Sequence, residues 1–217
     1  MRRKRQDATP INRDQLVVAA LDLVDEEGGD ALSMRAVAGR VDRQVSSLYN
    51  HVSGRGELIE LMRARIVADI DVSAFGRKPW DAALESWAKS YLTAFAAHPN
   101  LIRLLATTPI HDVSTFVMYD TVVSSLVSSG WPVRDAVAVM RTVEAHVLGS
   151  ALDIVAPSDM LAQSAVPPEL ASIREALDPE HAESFGAAPA FRLGLEALLV
   201  GLRARREGVE ATAPPSD

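Results

Sequence analysis

The sequence contains no cysteine, few aromatic residues and no long apolar run. Without cysteine, the chain has no disulfide, no thiolate nucleophile and no zinc site with sulfur ligands. No apolar stretch reaches the roughly 18 residues that a membrane span needs. The basic start MRRKRQDATP is not followed by the apolar segment of a secretory signal. We therefore expect a cytoplasmic protein with no membrane partner.

The composition is that of a globular protein with an uneven distribution of charge. Of its 217 residues, 48% are hydrophobic and 24% are charged, and the net charge is −7. This is enough for a buried core in one or two domains. Residues 1–13 are nevertheless basic, with Asp7 as their single acid. We predict a flexible basic arm at residues 1–11, which either contacts nucleic acid or only solubilises the chain.

Apolar residues recur at helical spacing along nearly the whole chain, and Gly or Pro marks most boundaries. This pattern predicts an all-α fold. Asn12 stands before the first helix as its N-cap, and Gly28 follows its end. Ser33 is placed to cap a second, shorter helix, which a break near Asp42 separates from a third.

The third predicted helix has an apolar face and a polar face that carries no acidic residue. Val45, Leu48 and Val52 return at helical spacing and can anchor it. The outward residues are Gln44, Ser46, Ser47, Asn50 and His51. Gln and Asn can pair with adenine, Ser can serve several bases, and small residues let a helix sit deep in the major groove. The pattern indicates a DNA-reading helix or, alternatively, an ordinary polar surface on a small bundle.

The segment after the third helix favours the DNA-reading alternative. Gly54, Arg55 and Gly56 lead into a long helix whose first turn offers free N–H groups and a cation to a phosphate. Tyr49 and Ser33 can add hydroxyl contacts to the DNA backbone. The stretch LSMRAVAGRVDRQVSSLYNHVSGRGEL resembles the helix-turn-helix of the TetR family of transcriptional regulators. The shared pattern is an alcohol at a helix start, an Ala-rich second helix, LY-x-HV, a basic residue and Leu, and the resemblance covers residues 12–70.

The resemblance implies roles for individual residues. It gives phosphate contacts to Ser33 and Tyr49 and makes Arg35 a candidate for a base contact. The remaining implied DNA contacts are Gln44, Val45, Ser46, Ser47 and Asn50 on the recognition helix, His51 at its end, and Arg55 at the phosphate-facing start of the fourth helix. The sequence departs from the family at the turn, where Asp42 replaces the usual Gly and Arg43 and Gln44 follow. A distorted turn is therefore expected, and the family's base preference does not transfer.

Three regions follow from these patterns: a helix-turn-helix domain at residues 12–57, a helical ligand-binding and dimerisation bundle at 58–207, and a disordered tail at 208–217. Two segments of the bundle, SGWPVRDAVAVMRTVEAHVLGSALDIV and AFRLGLEALLVGLRARR, are more apolar than one bundle face needs. Their glycines Gly149, Gly194 and Gly201 permit close approach. Both segments resemble the dimerisation helices of the tetracycline-repressor-like branch. We expect a homodimer, with a monomeric core as the alternative.

The middle helices carry aromatic and polar residues among apolar neighbours, which suits a pocket for a small, largely apolar effector. The candidate contacts, of which only some are expected to touch the ligand, are Trp87, Tyr91, His98, Thr107, Phe116, Met140, His146 and Asp153. His98, beside Pro99, is also placed to cap its own helix. Histidines of the tetracycline repressor are missing near Asp71 and Leu104, which argues against tetracycline with magnesium. No metal or cofactor is expected.

Catalytic motifs are absent from the sequence. It has no G-x-S-x-G elbow, no H-E-x-x-H, no phosphate loop and no G-x-G-x-x-G after a strand. Glu144 and His146 are two residues apart and point to different helix faces, so they make a poor metal site. We expect not an enzyme but a homodimeric repressor that a small-molecule effector releases from a palindromic double-stranded DNA operator. The alternative is a helical DNA-binding or interaction protein that does not respond to a ligand.

Overall fold

A computed structural model describes residues 11–157 and 159–212. These residues form helices without any strand, which confirms the predicted all-α fold. In this part of the chain the α-helices are α1 Arg13–Glu27, α2 Met34–Arg40, α3 Val45–Leu48, α4 Arg55–Val67, α5 Trp80–Ala96, α6 Pro99–Ala106, α7 Val113–Ser128, α8 Val133–Ile154, α9 Ala171–Ala176, α10 Ala182–Phe185 and α11 Ala187–Thr212. None of these described helices is long and apolar enough to cross a membrane.

The first helices begin and end where the sequence predicts. The side chain of Asn12 accepts a hydrogen bond of 2.8 Å from the N–H of Gln15, and the side chain of Gln15 accepts one of 2.9 Å from the N–H of Asn12. This reciprocal pair is a capping box. Gly28 then ends α1 with a φ of 86°, a backbone angle that glycine adopts easily. At α2, the hydroxyl oxygen of Ser33 accepts a bond of 3.1 Å from the N–H of Ala36.

The chain divides into two compact units. The first unit holds the residues up to Ile66 together with Asn100–Val113, and the second holds Val67–Pro99 and the residues from Ser114 onward. Most of α4 and α6 therefore packs with the helix-turn-helix, whereas the sequence pattern grouped every residue from 58 onward with the bundle.

Side chains of α4 explain why residues 100–113 join the first unit. The guanidinium of the buried Arg63 donates to the carbonyls of Leu105 at 3.3 Å and Thr108 at 3.0 Å. One carboxylate oxygen of Glu60 accepts from the backbone N–H groups of His111 and Asp112, both at 2.7 Å. Because these bonds satisfy carbonyls and N–H groups at and after the end of α6, they fix that segment against α4.

The core of the second unit is built from α5, α8 and α11. The face of α5 that the sequence predicts is buried as expected, from Trp80 to Phe95. Trp80 meets Trp131 edge-on at a ring-centroid distance of 5.5 Å. The last helix, α11, reaches Thr212, so residues 208–212 are helical where a disordered tail was predicted. Residues 1–10 of the predicted arm and residues 213–217 of the predicted tail lie outside the described residues.

Candidate DNA-binding and effector sites

The predicted recognition helix is a single helical turn. α3 covers only Val45–Leu48, because the backbone N–H groups of Asn50 and His51 then bond to carbonyls three residues back. The hydroxyl of Ser47 donates to the Gln44 carbonyl at 2.7 Å, a local bond of the kind that competes with a continuing helix. Leu48 is fully buried and anchors the turn.

Most of the predicted DNA contacts are exposed on the first unit. The exposed residues are Arg35, Gln44, Ser46, Tyr49, Asn50, Ser33 and Arg55, while Val45, Ser47 and His51 are half-buried. Tyr49 keeps 54% of its surface exposed although it follows the buried Leu48. The hydroxyl of Ser47 is already used within the turn. The exposed set consists of hydrogen-bonding groups and cations, which is the chemistry that base edges and phosphates require.

The turn between α2 and α3 is regular, which corrects the expectation of a distorted turn. Asp42 has a φ of 51°, in the left-handed region that glycine usually occupies. The N–H of Asp42 bonds to the Gly39 carbonyl at 3.2 Å, and the N–H of Arg43 bonds to the Ala38 carbonyl at 2.9 Å. This pair of bonds is a Schellman motif. Asp tolerates the left-handed region better than most residues, so the motif forms without glycine at the cost of some backbone strain.

Arg40 and Arg43 are the cations nearest to Asp42 in the sequence. Arg40 forms ion pairs with Glu26 and, at 3.9 Å, with Glu27. The hydrogen bond to Glu26 raises the pKa of Arg40 above its ordinary value. Arg43 instead donates from Nη1 to the backbone carbonyl of Asp42 at 2.9 Å. Of these two cations, Arg43 is therefore the one placed to offset the Asp42 carboxylate near a phosphate.

The start of α4 is held by charged side chains. Arg55 donates from Nε to the carbonyl of Leu32 at 2.9 Å, which ties this helix end to the segment before α2. The carboxylate of Glu57 accepts from the N–H of Ser53 at 2.6 Å and forms an ion pair with Arg13. Arg55 uses only Nε in its bond to Leu32, and its remaining guanidinium N–H groups are the ones that can reach a phosphate.

The candidate effector residues are dispersed. Trp87, Tyr91 and Met140 are buried together in the α5 and α8 core of the second unit. Phe116 and Asp153 are exposed. Thr107 lies in the first unit, where its hydroxyl donates to the Arg103 carbonyl at 3.0 Å. His98 borders a cavity of about 380 Å³. His146 stacks on Phe191, with ring centroids 5.3 Å apart.

Two residues beside Tyr91, Glu144 on α8 and Tyr119 on α7, were not among the sequence candidates. The hydroxyl of Tyr91 donates to Oε1 of the buried Glu144 at 2.9 Å, and the hydroxyl of Tyr119, on α7, donates to the same oxygen. Burial, and after it the charge of Glu144, raises the pKa of Tyr91, so this hydroxyl stays protonated and can donate. The sequence did carry a signal for Glu144, which is an acid four residues after Met140 and three before Val147 on an apolar face.

Glu144 and His146 make separate contacts. His146 Nε2 lies 3.0 Å from the carbonyl oxygen of Phe191, whereas Glu144 faces the two tyrosines. Within residues 11–157 and 159–212, no three His, Asp or Glu side chains gather in a way that could hold a metal ion. The arrangement in the second unit is therefore a hydrogen-bonded carboxylate among aromatic rings.

Known proteins resemble this chain either over the second unit or over most of its length. The family described as tetracyclin repressor-like, C-terminal domain, matches residues 74–206. The HTH-type transcriptional repressor DrrR1 of Streptomyces coeruleorubidus is 32% identical over 139 residues, which cover 64% of this chain and 52% of that relative. The chain thus spans about half the length of DrrR1. The tetracycline repressor protein class D of Escherichia coli is 27% identical over 201 residues, 88% of each chain.

A solved structure extends the similarity to the fold. The structure of ActR, a TetR family protein of Streptomyces coelicolor, in complex with actinorhodin matches with a TM-score of 0.73 at 26% identity, over 91% of this chain and 99% of that chain. This match includes both compact units, since it spans nearly the whole chain.

Proposed function

Since this chain belongs to the tetracycline-repressor-like (TetR) family, we propose that it is a DNA-binding transcription regulator, most simply a repressor, that a small effector releases from its operator. One observation carries the proposal: the exposed residues Gln44, Ser46 and Asn50 lie on or next to the one-turn helix α3, which the buried Leu48 anchors and which follows a regular turn. The similarity to a repressor such as DrrR1 supports it, as does the likeness to ActR in its complex with actinorhodin.

The proposed reading surface combines base and phosphate contacts. Gln44 and Asn50 would pair with base edges in the major groove, since their amides can bond bidentately to adenine. Tyr49 and Ser33 would donate hydroxyl hydrogen bonds to phosphates. Arg55, already fixed through Nε, would hold a phosphate at the start of α4.

A homodimer would place two such surfaces on successive major grooves, about 34–36 Å apart on a palindrome. Exposed apolar side chains on α8 and α11 support this part of the proposal: Val133 and Leu193 are each 71% exposed, and Val137 and Val200 are at least half exposed. A Cβ added at Gly201 would meet nothing within 4 Å in a single chain. The space at this glycine is therefore open to a second copy, whose helices would cover the apolar side chains.

Effector response would depend on α4 and α6. The chain leaves the first unit after Ile66 and returns at Asn100, so a change in the second unit acts on the end of α4 and the start of α6. In the first unit, Arg63 and Glu60 join α4 to the segment after α6. A shift of these helices would change the spacing of the two reading surfaces in the dimer. Coupling of this kind is typically about 1–3 kcal/mol.

The test is the selection of bound fragments from sheared genomic DNA by the purified protein at about 150 mM salt, where non-specific binding is weak. We expect the wild type to recover a few palindromic intergenic sites. Tyr49→Ala should lose them, because it removes the phosphate contact at the recognition turn. Glu175→Ala is the matched control, since Glu175 is exposed on α9 of the second unit. Diffuse recovery by the wild type would contradict sequence-specific regulation.

A further inference from the structure

Glu144 is a mostly buried carboxylate that forms no ion pair within the described residues. Its residue is 9% exposed, and its Oε1 accepts hydrogen bonds from Tyr91 and Tyr119. In the described part of the chain, no Lys, Arg or His side chain forms a salt bridge with this carboxylate, and the hydrogen bonds it accepts there both go to Oε1. The second unit therefore holds a mostly buried acid whose second oxygen has no donor among the described residues.

The second oxygen of Glu144 can bind a group from outside this chain. Oε2 is not among the buried side-chain atoms that lack a hydrogen-bond partner, so it is not sealed from solvent. A carboxylate that is mostly buried and held through one oxygen presents its other oxygen as a fixed acceptor.

The surroundings of Glu144 are aromatic. Tyr91 stacks on Phe95, with ring centroids 4.9 Å apart and planes at 16°, and meets Trp87 edge-on at 5.2 Å. The Nε1 of the fully buried Trp87 has no hydrogen-bond partner in the described structure, so a second polar group near Tyr91 also lacks one. Aromatic faces attract cations, and a carboxylate binds an ammonium through charge-assisted hydrogen bonds.

We propose that the effector is a protonated amine on an apolar, ring-bearing body, and that Glu144 binds its ammonium group through Oε2. Tyr91 and Tyr119 remain on Oε1 and position the carboxylate. This proposal rests on the regulator function proposed above and names the ligand class of its effector. Because the three side chains come from α5, α8 and α7, an ammonium bound there contacts a point where three helices of the second unit meet.

Three probes with the same ring and different charges test the proposal. They are 1-naphthylmethylamine, which is a cation at pH 7, the neutral 1-naphthalenemethanol and the anion 1-naphthoate. Isothermal titration calorimetry measures the Kd of each for the wild type and for Glu144→Gln, which keeps the size and an acceptor oxygen but removes the charge. Glu175→Gln, at an exposed acid of the same unit, is the matched control.

We expect the wild type and Glu175→Gln to bind the amine about 10-fold or more tightly than the alcohol, as one charge-assisted hydrogen bond implies. Glu144→Gln should abolish that preference. Binding of the neutral alcohol by Glu144→Gln, with a Kd close to that of the wild type, guards against an effect of misfolding, since only a folded variant keeps the aromatic site. Equal binding of amine and alcohol by the wild type, no amine binding, or a preference that survives Glu144→Gln would overturn the proposal.

The ligand class and the regulator function fail separately. If the wild type selects operator fragments but the amine neither binds through Glu144 nor weakens operator binding, the regulator stands and the amine proposal is wrong. If the amine binds through Glu144 but no specific DNA site is recovered, the amine site stands and the proposed function is wrong. Release of the operator by the amine from the wild type, but not from Glu144→Gln, would support both.

Discussion

Gly194→Ala tests a close contact between α8 and α11. A Cβ built on Gly194 would lie 2.4 Å from Cε1 and 2.8 Å from Nε2 of His146. Carbon atoms in favourable contact are about 3.5–4.0 Å apart, so the imidazole ring would have to move. That ring is held by a parallel stack on Phe191, with planes at 7°, and by the contact of 3.0 Å between Nε2 and the Phe191 carbonyl oxygen.

Two opposing effects set the magnitude of the change. Alanine inside a helix is favoured over glycine by about 1 kcal/mol. Displacing the ring loses an aromatic contact of about 0.5–1.5 kcal/mol and a hydrogen bond of similar size, while a ring that stays suffers overpacking of about 1–3 kcal/mol. These terms leave a net destabilisation of about 0–2 kcal/mol. For a chain of this length the melting temperature should fall by up to about 8 °C.

The assay is thermal unfolding by calorimetry at one fixed protein concentration, because association makes the melting temperature depend on concentration. Gly208→Ala is the control on the same helix, since a Cβ there would meet nothing within 4 Å. In a His146→Ala background the obstacle is gone, and Gly194→Ala should then be neutral or stabilising. A higher melting temperature for the single Gly194→Ala variant would refute this reasoning, as would an equal loss in the His146→Ala background.

Three further variants have defined outcomes. Asp42→Gly should raise the melting temperature because it relieves the left-handed backbone, whereas Asp42→Ala, which removes the same charge, should lower it. Arg63→Met should lower the free energy of unfolding in urea by about 2–4 kcal/mol, because two carbonyls lose their buried donor. The pKa of Tyr91 is raised in the folded state, so just above pH 10 this hydroxyl ionises only in the unfolded state. The melting temperature should therefore fall as the pH rises above 10, and Tyr91→Phe should lessen that fall in thermal scans.

Local signals in the sequence predicted the helices well. Asn12 and Ser33 act as N-caps because their side chains bond to N–H groups only three residues away. Gly28 ends α1 for an equally local reason, its positive φ. The aromatic face of α5 follows from spacing alone. Each of these features depends on residues within about one helical turn, so no knowledge of the packing was needed.

Two features go beyond the sequence pattern for different physical reasons. At α3, which the pattern already makes a short helix, the hydroxyl of Ser47 bonds back to the Gln44 carbonyl and the helix ends after one turn. At α6 the reason is not local. Arg63 and the carbonyl of Thr108 are 45 residues apart, and only the folded chain brings them together.

The same contrast explains the effector site. Aromatic residue types selected the sequence candidates, but burial of a tryptophan or tyrosine is common in any helical core and so discriminates poorly between packing and binding. Buried acids are rare, and each requires a specific compensation. Glu144 is 53 residues from Tyr91 and 25 from Tyr119, so its compensation is visible only once three helices have packed. After this packing only one oxygen of the Glu144 carboxylate has donors among the described residues. Such a carboxylate therefore indicates a ligand more strongly than any of the aromatic residues around it.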